Sequence, residues 1–302
     1  MAKSDPQPLA EQKPGHYSDG HPLDEIQYLE SKLILKPERF VSAKVFVAFG
    51  EIVARTAKDL GIGFDTKGIV FKSNIREVVF LDTADFRLYN NAFILRRRVA
   101  FEDGFPVGEP EIVFKFRHPD LQTAAELDVR PHGIGKYRIK FKAEALPLKD
   151  RVGGYRMLYS HNVQFPLSHT PDVDRSALTN IARAFPALAG LTITEGEHVE
   201  LVNQTIVEEV LQDLGTLDFG KGVTADANIA LWRERGTHAP LCGEFAFEAK
   251  FERRSDVHEK ARVRGREFFL ALQHACSDWL SLDTTKTGLV YRLKGNPPQS
   301  HE

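Results

Sequence analysis

Charged and apolar side chains alternate along several short segments of this chain. In the segment YRIKFKAE (137–144), Arg138, Lys140, Lys142 and Glu144 occupy every second position, between apolar residues. Successive side chains of a β-strand point to opposite faces, so this pattern predicts a strand with one charged face and one apolar face. A sheet of such strands must bury its apolar face. The alternation therefore favours a β-rich fold with other elements packed on the apolar side.

The same alternation recurs in four other segments. The charged residues that share a face there are Glu30 with Lys32, Arg96 with Arg98, Lys115 with Arg117, and Glu244 with Glu248. An exposed sheet face would explain each pair taken singly. Two amphipathic helices, predicted over 38–60 and after Ser255, need an apolar surface to pack on. If they cover the outside of the sheet, the charged faces line an internal lumen.

The order of predicted elements is strand, helix, many strands, helix, strands and a final helix. We therefore predict an α+β fold, an antiparallel β-barrel of about eight strands with flanking helices. The barrel domain is expected over 24–294, with disordered polar tails over 1–23 and 295–302. Residues 126–130 are predicted to be a strand, and residues 146–175 an irregular connection.

Composition excludes several classes of protein. The chain of 302 residues has 40 Lys and Arg against 42 Asp and Glu, and a general nucleic-acid binder would carry a basic excess. Its two cysteines, Cys242 and Cys276, have no disulfide or zinc spacing. The N-terminus lacks the apolar core of a signal peptide, and no apolar run is long enough to span a bilayer. We expect a cytoplasmic protein with neither nucleic acid nor membrane as partner.

A lumen lined by both signs of charge suits a phosphate chain. Lys and Arg neutralise phosphate oxygens, and Arg binds them in bidentate fashion. Carboxylates hold Mg²⁺ or Mn²⁺, which bridges phosphate oxygens. The pattern thus predicts a small-molecule partner with a triphosphate or polyphosphate group.

The most specific segment is VVFLDTADFRLYNNAFILRRR (78–98). It resembles the signature of the CYTH, or triphosphate tunnel metalloenzyme, family: an apolar strand, Asp-Thr at Asp82 and Thr83, and then paired arginines. Asp82 is expected to fix the turn before the basic strand. The resemblance extends to Phe114-Lys115, which is similar to the family strand with a phosphate-binding lysine. It also includes the strand from Glu244 to Lys250, which is similar to the family's acidic, metal-side strand.

The family's N-terminal Glu-x-Glu-x-Lys strand is matched in part. Glu30 and Lys32 stand at the second Glu and the Lys, and Tyr28 stands at the first Glu. The chain also resembles the polyphosphate-polymerase domain of the vacuolar transporter chaperone complex. Lys286 is comparable to lysines near the C-terminus of that domain.

The resemblance implies an enzyme, a phosphoric anhydride hydrolase. Its activity would be metal-dependent hydrolysis of inorganic tripolyphosphate or a nucleoside triphosphate, with Mg²⁺ or Mn²⁺ as cofactor. The implied catalytic residues are Glu30, Lys32, Arg96, Arg98 and Lys115. The implied phosphate-binding residues are Lys32, Arg96, Arg98, Lys115, Arg117, Lys142, Arg233, Arg235 and Lys286. The implied metal ligands are Glu30, Glu244 and Glu248.

Several alternatives stay open at this point. The same tunnel would serve a polyphosphate polymerase or an adenylate cyclase, and Tyr28 favours a non-catalytic polyphosphate- or nucleotide-binding protein. Glu126 and Asp128 are either metal ligands or a solvated strand edge. Arg233 and Arg235 either extend the phosphate site or belong to a salt-bridged surface.

Overall fold

The computed structural model describes residues 10–69, 72–295 and 297. The strands are β1 (Tyr28–Leu35), β2 (Gly63–Asp65), β3 (Asn74–Asp82), β4 (Phe93–Glu102), β5 (Phe105–His118), β6 (Arg138–Pro147), β7 (Tyr155–Pro166), β8 (Glu200–Leu201), β9 (Val207–Asp218), β10 (Thr224–Glu234) and β11 (Pro240–Lys250). The α-helices are α1 (Lys44–Asp59), α2 (Arg87–Asn90), α3 (Leu121–Glu126), α4 (Leu178–Ala184), α5 (Glu259–Ala275) and α6 (Lys286–Arg292).

Nine of these strands close into a barrel. Their order around it is β9, β10, β11, β1, β6, β7, β5, β4 and β3, and β3 pairs again with β9. Neighbouring strands run antiparallel, except that β1 and β6 run parallel. The prediction of an α+β barrel with flanking helices is confirmed. The barrel has nine strands where about eight were predicted, and its β1–β6 pair is parallel where an antiparallel barrel was predicted.

The apolar side of the barrel faces outward and is covered by helices. From α1, Phe49 packs on Phe245 of β11, with ring centroids 5.3 Å apart. From α5, Phe268 packs on Phe247 of the same strand at 5.4 Å. Phe49 and Phe268 are both fully buried, and each such ring stabilises the fold by roughly 1.5–3 kcal/mol. This outer covering turns the charged faces of the strands inward.

Helix α6 closes one end of the barrel. Its Val290 and Tyr291 pack against inward-facing apolar side chains, which include Phe80 of β3 and Trp232 of β10. The rings of Phe80 and Tyr291 lie edge to face at 6.1 Å. The barrel interior therefore has an apolar floor at this end, and Lys286, the first residue of α6, lies where that floor meets the charged interior.

Two segments differ from the predicted elements. Residues 146–175, expected to be irregular, contain β7, whose inward-facing Asn162 and Gln164 are neutral. Because charged and apolar residues do not alternate along β7, the pattern that predicted the other strands did not indicate this one. Residues 126–130 were expected to be a strand, but Glu126 ends α3 and the described residues 127–130 form no strand. The Asp128 carboxylate instead accepts a hydrogen bond from the Arg130 backbone N–H at 3.0 Å.

Residues 10–23, for which we expected disorder, lie on the outside of the barrel. Tyr17 is buried, and its hydroxyl donates to the carbonyl oxygen of Ala125 at 3.2 Å. Residues 1–9 lie outside the described residues, and of the expected C-terminal tail the structure describes only residues 295 and 297. Within the described ranges, no helix combines the length and the apolar character needed to cross a bilayer.

Candidate functional site

The barrel interior is a cavity of about 330 Å³ whose walls carry most of the buried charge of the protein. Its basic lining residues are Lys32, Arg76, Arg96, Arg98, Lys115, Arg117, Lys140, Lys142 and Lys286. Its acidic lining residues are Glu30, Glu144, Glu209, Asp226, Glu244 and Glu248. Nine cations face six carboxylates, although the whole chain has a net charge of −2. The interior is therefore positive in a near-neutral protein, which favours an anionic ligand.

Glu144 of β6 is the carboxylate around which one cluster of these cations is arranged. It is 1% exposed, and its carboxylate lies 3.1 Å from Lys32, 3.3 Å from Arg117 and 3.8 Å from Lys115. Burial would raise the pKa of Glu144, but Arg117 and Lys32 outweigh burial and hold that pKa well below its usual value. Glu144 is thus ionised, and it is shared among three cations.

Glu30 and Glu248 form a second acidic position. They face each other directly in the register of β1 and β11. The Lys142 ammonium lies between them, 3.2 Å from Glu30 and in direct contact with Glu248. Burial would raise the pKa of Glu30, but Lys142 and Lys32 together lower it to about 2.

A third charged cluster lies beside the apolar floor. The Lys286 ammonium is 2.6 Å from Glu244 and 3.3 Å from Glu209, and it stands 4.6 Å from the centroid of the Trp232 ring. Arg76 of β3 also binds Glu209, at 2.6 Å. Burial would raise the pKa of Glu209, but Lys286 and Arg76 hold it far below its usual value. These carboxylates are therefore already neutralised by the protein itself.

Three cations, one of them Lys115 of the Glu144 cluster, remain short of negative charge. Within the described ranges, Arg96 makes no ion pair, and its buried Nε has no acceptor. Burial, followed by the neighbouring Arg98, lowers the pKa of Arg96 to about 9. Burial and Lys142 lower the pKa of Lys140 to about 8, and burial and Arg117 lower that of Lys115 well below its usual value. An anion bound beside these groups would relieve this electrostatic cost.

The structure brings most of the sequence-predicted site residues into this cavity. Those that line it are Glu30, Lys32, Arg96, Arg98, Lys115, Arg117, Lys142, Glu244, Glu248 and Lys286. Arg233 and Arg235 do not line it. On the outer face, Arg233 pairs with Glu208 and Arg235 pairs with Glu77, which matches the salt-bridged alternative. Asp128 is likewise outside the cavity, paired with Arg130.

The three carboxylates expected to hold a metal do not converge. Glu244 is four residues from Glu248 along β11, roughly 13 Å at the usual rise of a strand, and it binds Lys286. Among the described residues, no three His, Cys, Asp or Glu side chains are grouped closely enough to hold a metal ion.

Glu30 and Glu248 nevertheless fit a metal that arrives with phosphate. Mg²⁺ is usually bound through one or two carboxylates plus phosphate oxygens rather than through a full protein cage. The Lys142 ammonium already occupies the position between these two carboxylates that a cation would take.

Other lining residues escaped the sequence-based prediction of the site. Lys140 and Glu144 lie on the same charged face of β6 as Lys142, so the alternation alone would have placed them in the site. Glu209 follows Glu208, and two adjacent carboxylates give no alternation from which to choose the inward one. Arg76 is followed directly by Glu77, so it shows no alternation either, and Asp226 has no charged neighbour in its strand. Only the closure of the barrel brings these two residues to the cavity.

No family model and no curated protein matches the chain. Among solved structures, it is similar to a putative adenylyl cyclase from Hippeastrum that is described as having a dominant triphosphatase activity. The identity is 12% and the TM-score 0.42, over 90% of this chain and 98% of that one.

It is also similar to putative adenylate cyclases from Vibrio parahaemolyticus and Bacillus halodurans. The first has 12% identity and a TM-score of 0.37, over 88% of this chain and 99% of that one. The second has 13% identity and a TM-score of 0.35, over 87% and 95%.

Proposed function

We propose that the barrel interior binds a triphosphate chain, inorganic tripolyphosphate or a nucleoside triphosphate, and hydrolyses its phosphoric anhydride bond with Mg²⁺ or Mn²⁺. The observation that carries this proposal is the excess of cations over carboxylates in the cavity, with Arg96 half-buried, its Nε fully buried, and no ion-pair partner for it in the described parts of the chain.

Arg96, which has no ion pair in the described ranges, and its basic neighbours define where the phosphates would bind. Lys115 comes from the adjacent strand β5, and Arg98, paired with Glu111 at 2.5 Å, lies one inward position further along β4. Arg96 offers a planar fork for two phosphate oxygens, and Lys115 offers a point charge. A bound phosphate would raise the pKa of Lys115 again, so the lysine would be charged in the complex.

Glu30 and Glu248 would hold the metal. When it is bound there, Mg²⁺ or Mn²⁺ neutralises phosphate oxygens and polarises phosphorus. Lys142, released from these two carboxylates, would then be free to contact a phosphate. Glu244 would remain with Lys286.

Hydrolysis requires no covalent nucleophile from the protein. The oxygen of a water forms the new P–O bond in line with the P–O bond that breaks, and the water gives up one proton. Negative charge builds up on the phosphoryl oxygens and on the leaving oxygen. Arg96, Arg98 and Lys115 would stabilise this charge from fixed positions.

Binding without turnover is a second candidate, and Tyr28 favours it. Tyr28 stands at the position of the first Glu of the pattern, so it supplies no carboxylate. Its buried ring lies 5.4 Å from the Lys142 ammonium and 5.6 Å from that of Lys140. A polymerase or a cyclase would use the same cations, and its products would differ.

The first experiment measures orthophosphate release from tripolyphosphate and from ATP, with Mg²⁺ and then Mn²⁺. It compares the wild type with Arg96→Ala and with the outer-face control Arg233→Ala. We expect metal-dependent release that Arg96→Ala removes and Arg233→Ala retains. Absence of release from both substrates would contradict the hydrolase. A rise in melting temperature with long-chain polyphosphate would then support a binder or a polymerase, and no rise would contradict phosphate binding altogether.

A further inference from the structure

A second cavity lies outside the barrel, between the outer faces of β4, β5 and β7 and the segment that leads into α4. Its volume is about 630 Å³. Apolar side chains form most of its wall, among them Leu95, Ile112, Phe165 and Ile181. Val173 at its edge is 49% exposed. Below, this space is called the outer cavity.

The charged residues of the outer cavity are all basic. They are Arg97, Arg175 and Arg183, with His132 beside them, and within the described ranges no Asp or Glu lines the space. The barrel interior (the tunnel), in contrast, is lined by six carboxylates as well as by nine cations. A metal-bound phosphate chain would find no acidic partner for its metal in the outer cavity.

The three arginines are only partly neutralised. Arg97 binds Glu77 at 3.2 Å, but Glu77 is shared with Arg235, and the buried Nε of Arg97 has no acceptor in the described chain. Arg175 donates to the hydroxyl of Thr170 at 2.7 Å, and Arg183 to the side-chain oxygen of Asn180 at 3.0 Å. Both acceptors are neutral, so the two positive charges remain available to a ligand.

Small-molecule sites are typically apolar cavities of roughly 300–1,000 Å³ with a few placed polar groups. The outer cavity has this size and this mostly apolar lining, and its charged groups are all positive. We propose that it binds a monoanionic amphiphile, an acyl chain with a carboxylate head. The chain would lie on Leu95, Ile112 and Phe165, and the carboxylate would face the arginines. This site is separate from the tunnel and does not depend on the function proposed for it.

The test is calorimetric titration of the full chain with decanoate below its micelle concentration, alongside the neutral decanol and the cationic decylamine. We expect decanoate to bind and the other two to bind at least tenfold more weakly. A hydrogen bond to a charged group is worth about 1.5–3 kcal/mol, so Arg183→Ala and Arg175→Ala should each weaken decanoate binding by about tenfold or more. Both arginines are exposed, and circular dichroism would verify that the variants fold.

Two controls separate this site from general charge effects and from the tunnel. Arg151→Ala removes the same charge at an exposed position away from the outer cavity, and it should leave decanoate binding unchanged. Arg96→Ala, or saturation with tripolyphosphate, should also leave it unchanged. Absence of decanoate binding, equal binding of decanol, or competition by tripolyphosphate would each overturn the proposal.

Discussion

The hydroxyl of Tyr291 donates a hydrogen bond to the carboxylate of Asp82 at 3.0 Å, across 209 positions of the chain. Asp82 ends β3 and also accepts from the backbone N–H groups of Thr83, Leu88 and Tyr89, at 2.8–2.9 Å. One buried carboxylate therefore shapes the turn before β4 and attaches α6 to it. Because α6 supplies Lys286, this contact also positions a cation at the end of the tunnel.

Asp82→Asn should lower the free energy of unfolding by about 2–3 kcal/mol. The amide replaces an acceptor oxygen by an N–H₂ group, which then faces backbone or hydroxyl donors, and buried donors without an acceptor cost about 1–3 kcal/mol. Urea unfolding would measure the change. Asp172→Asn, in an exposed loop, should stay within about 0.5 kcal/mol of the wild type. Equal losses in the two variants would show that the Asp82 contacts do not stabilise the fold.

The barrel was predictable wherever its strands alternate charge with apolar side chains. In β6, Lys140 and Lys142 alternate with Ile139 and Phe141, and the pattern located that strand within two residues. Strand β7 has no such contrast, because its inward Ser160, Asn162 and Gln164 are uncharged. Arg156 near the start of β7 is its one lysine, arginine or carboxylate, and a single charge gives no alternation by which to recognise a strand.

The site was harder to predict, because alternation identifies which residues share a face but not which face is inside. Arg233 and Arg235 share a face, as expected, but Trp232 occupies the inward side of β10. Glu244 and Glu248 also share a face, yet they lie roughly 13 Å apart along β11, too far to bind one metal ion together. The pairing of Glu248 with Glu30 joins strands over 200 residues apart, and no local pattern encodes it.

Glu144→Gln should destabilise the free protein by about 3 kcal/mol or more, because it leaves Lys32, Arg117 and Lys115 without their shared carboxylate. Tripolyphosphate should then raise the melting temperature of this variant more than that of the wild type, since the ligand replaces the missing negative charge. Thermal unfolding with and without tripolyphosphate would measure both effects. Glu195→Gln, on the surface, is the control, and an equal rise in wild type and Glu144→Gln would count against phosphate binding at this cluster.

The affinity for tripolyphosphate should fall as pH rises above about 8. Burial and Lys142 lower the pKa of Lys140 to about 8 in the free protein, so above that pH the lysine is neutral and must take up a proton on binding the anion. Each pH unit above the pKa should then raise Kd by up to about tenfold. Lys140→Arg stays protonated and should show a flatter profile. The titration of the ligand itself is common to both proteins, so identical slopes between pH 7 and 9.5 would contradict a phosphate contact by Lys140.

Two glutamates of β11 should respond differently to the same substitution. Glu248→Gln removes a carboxylate from the pair with Glu30, and should reduce Mg²⁺-dependent turnover by at least about 10–100-fold, since that loss is already usual when a residue that only supports a metal ligand is replaced. Glu244→Gln removes the 2.6 Å ion-pair partner of Lys286, which keeps its 3.3 Å contact with Glu209, so the ammonium has more positive charge to offer a phosphate. That variant should keep turnover within about threefold and bind tripolyphosphate at least as tightly as the wild type. Steady-state kinetics over a range of Mg²⁺ concentrations would separate the two effects. A weakened Mg²⁺ dependence in Glu244→Gln, with Glu248→Gln unaffected, would move the metal to the Lys286 end of the tunnel and contradict the assignment to Glu30 and Glu248.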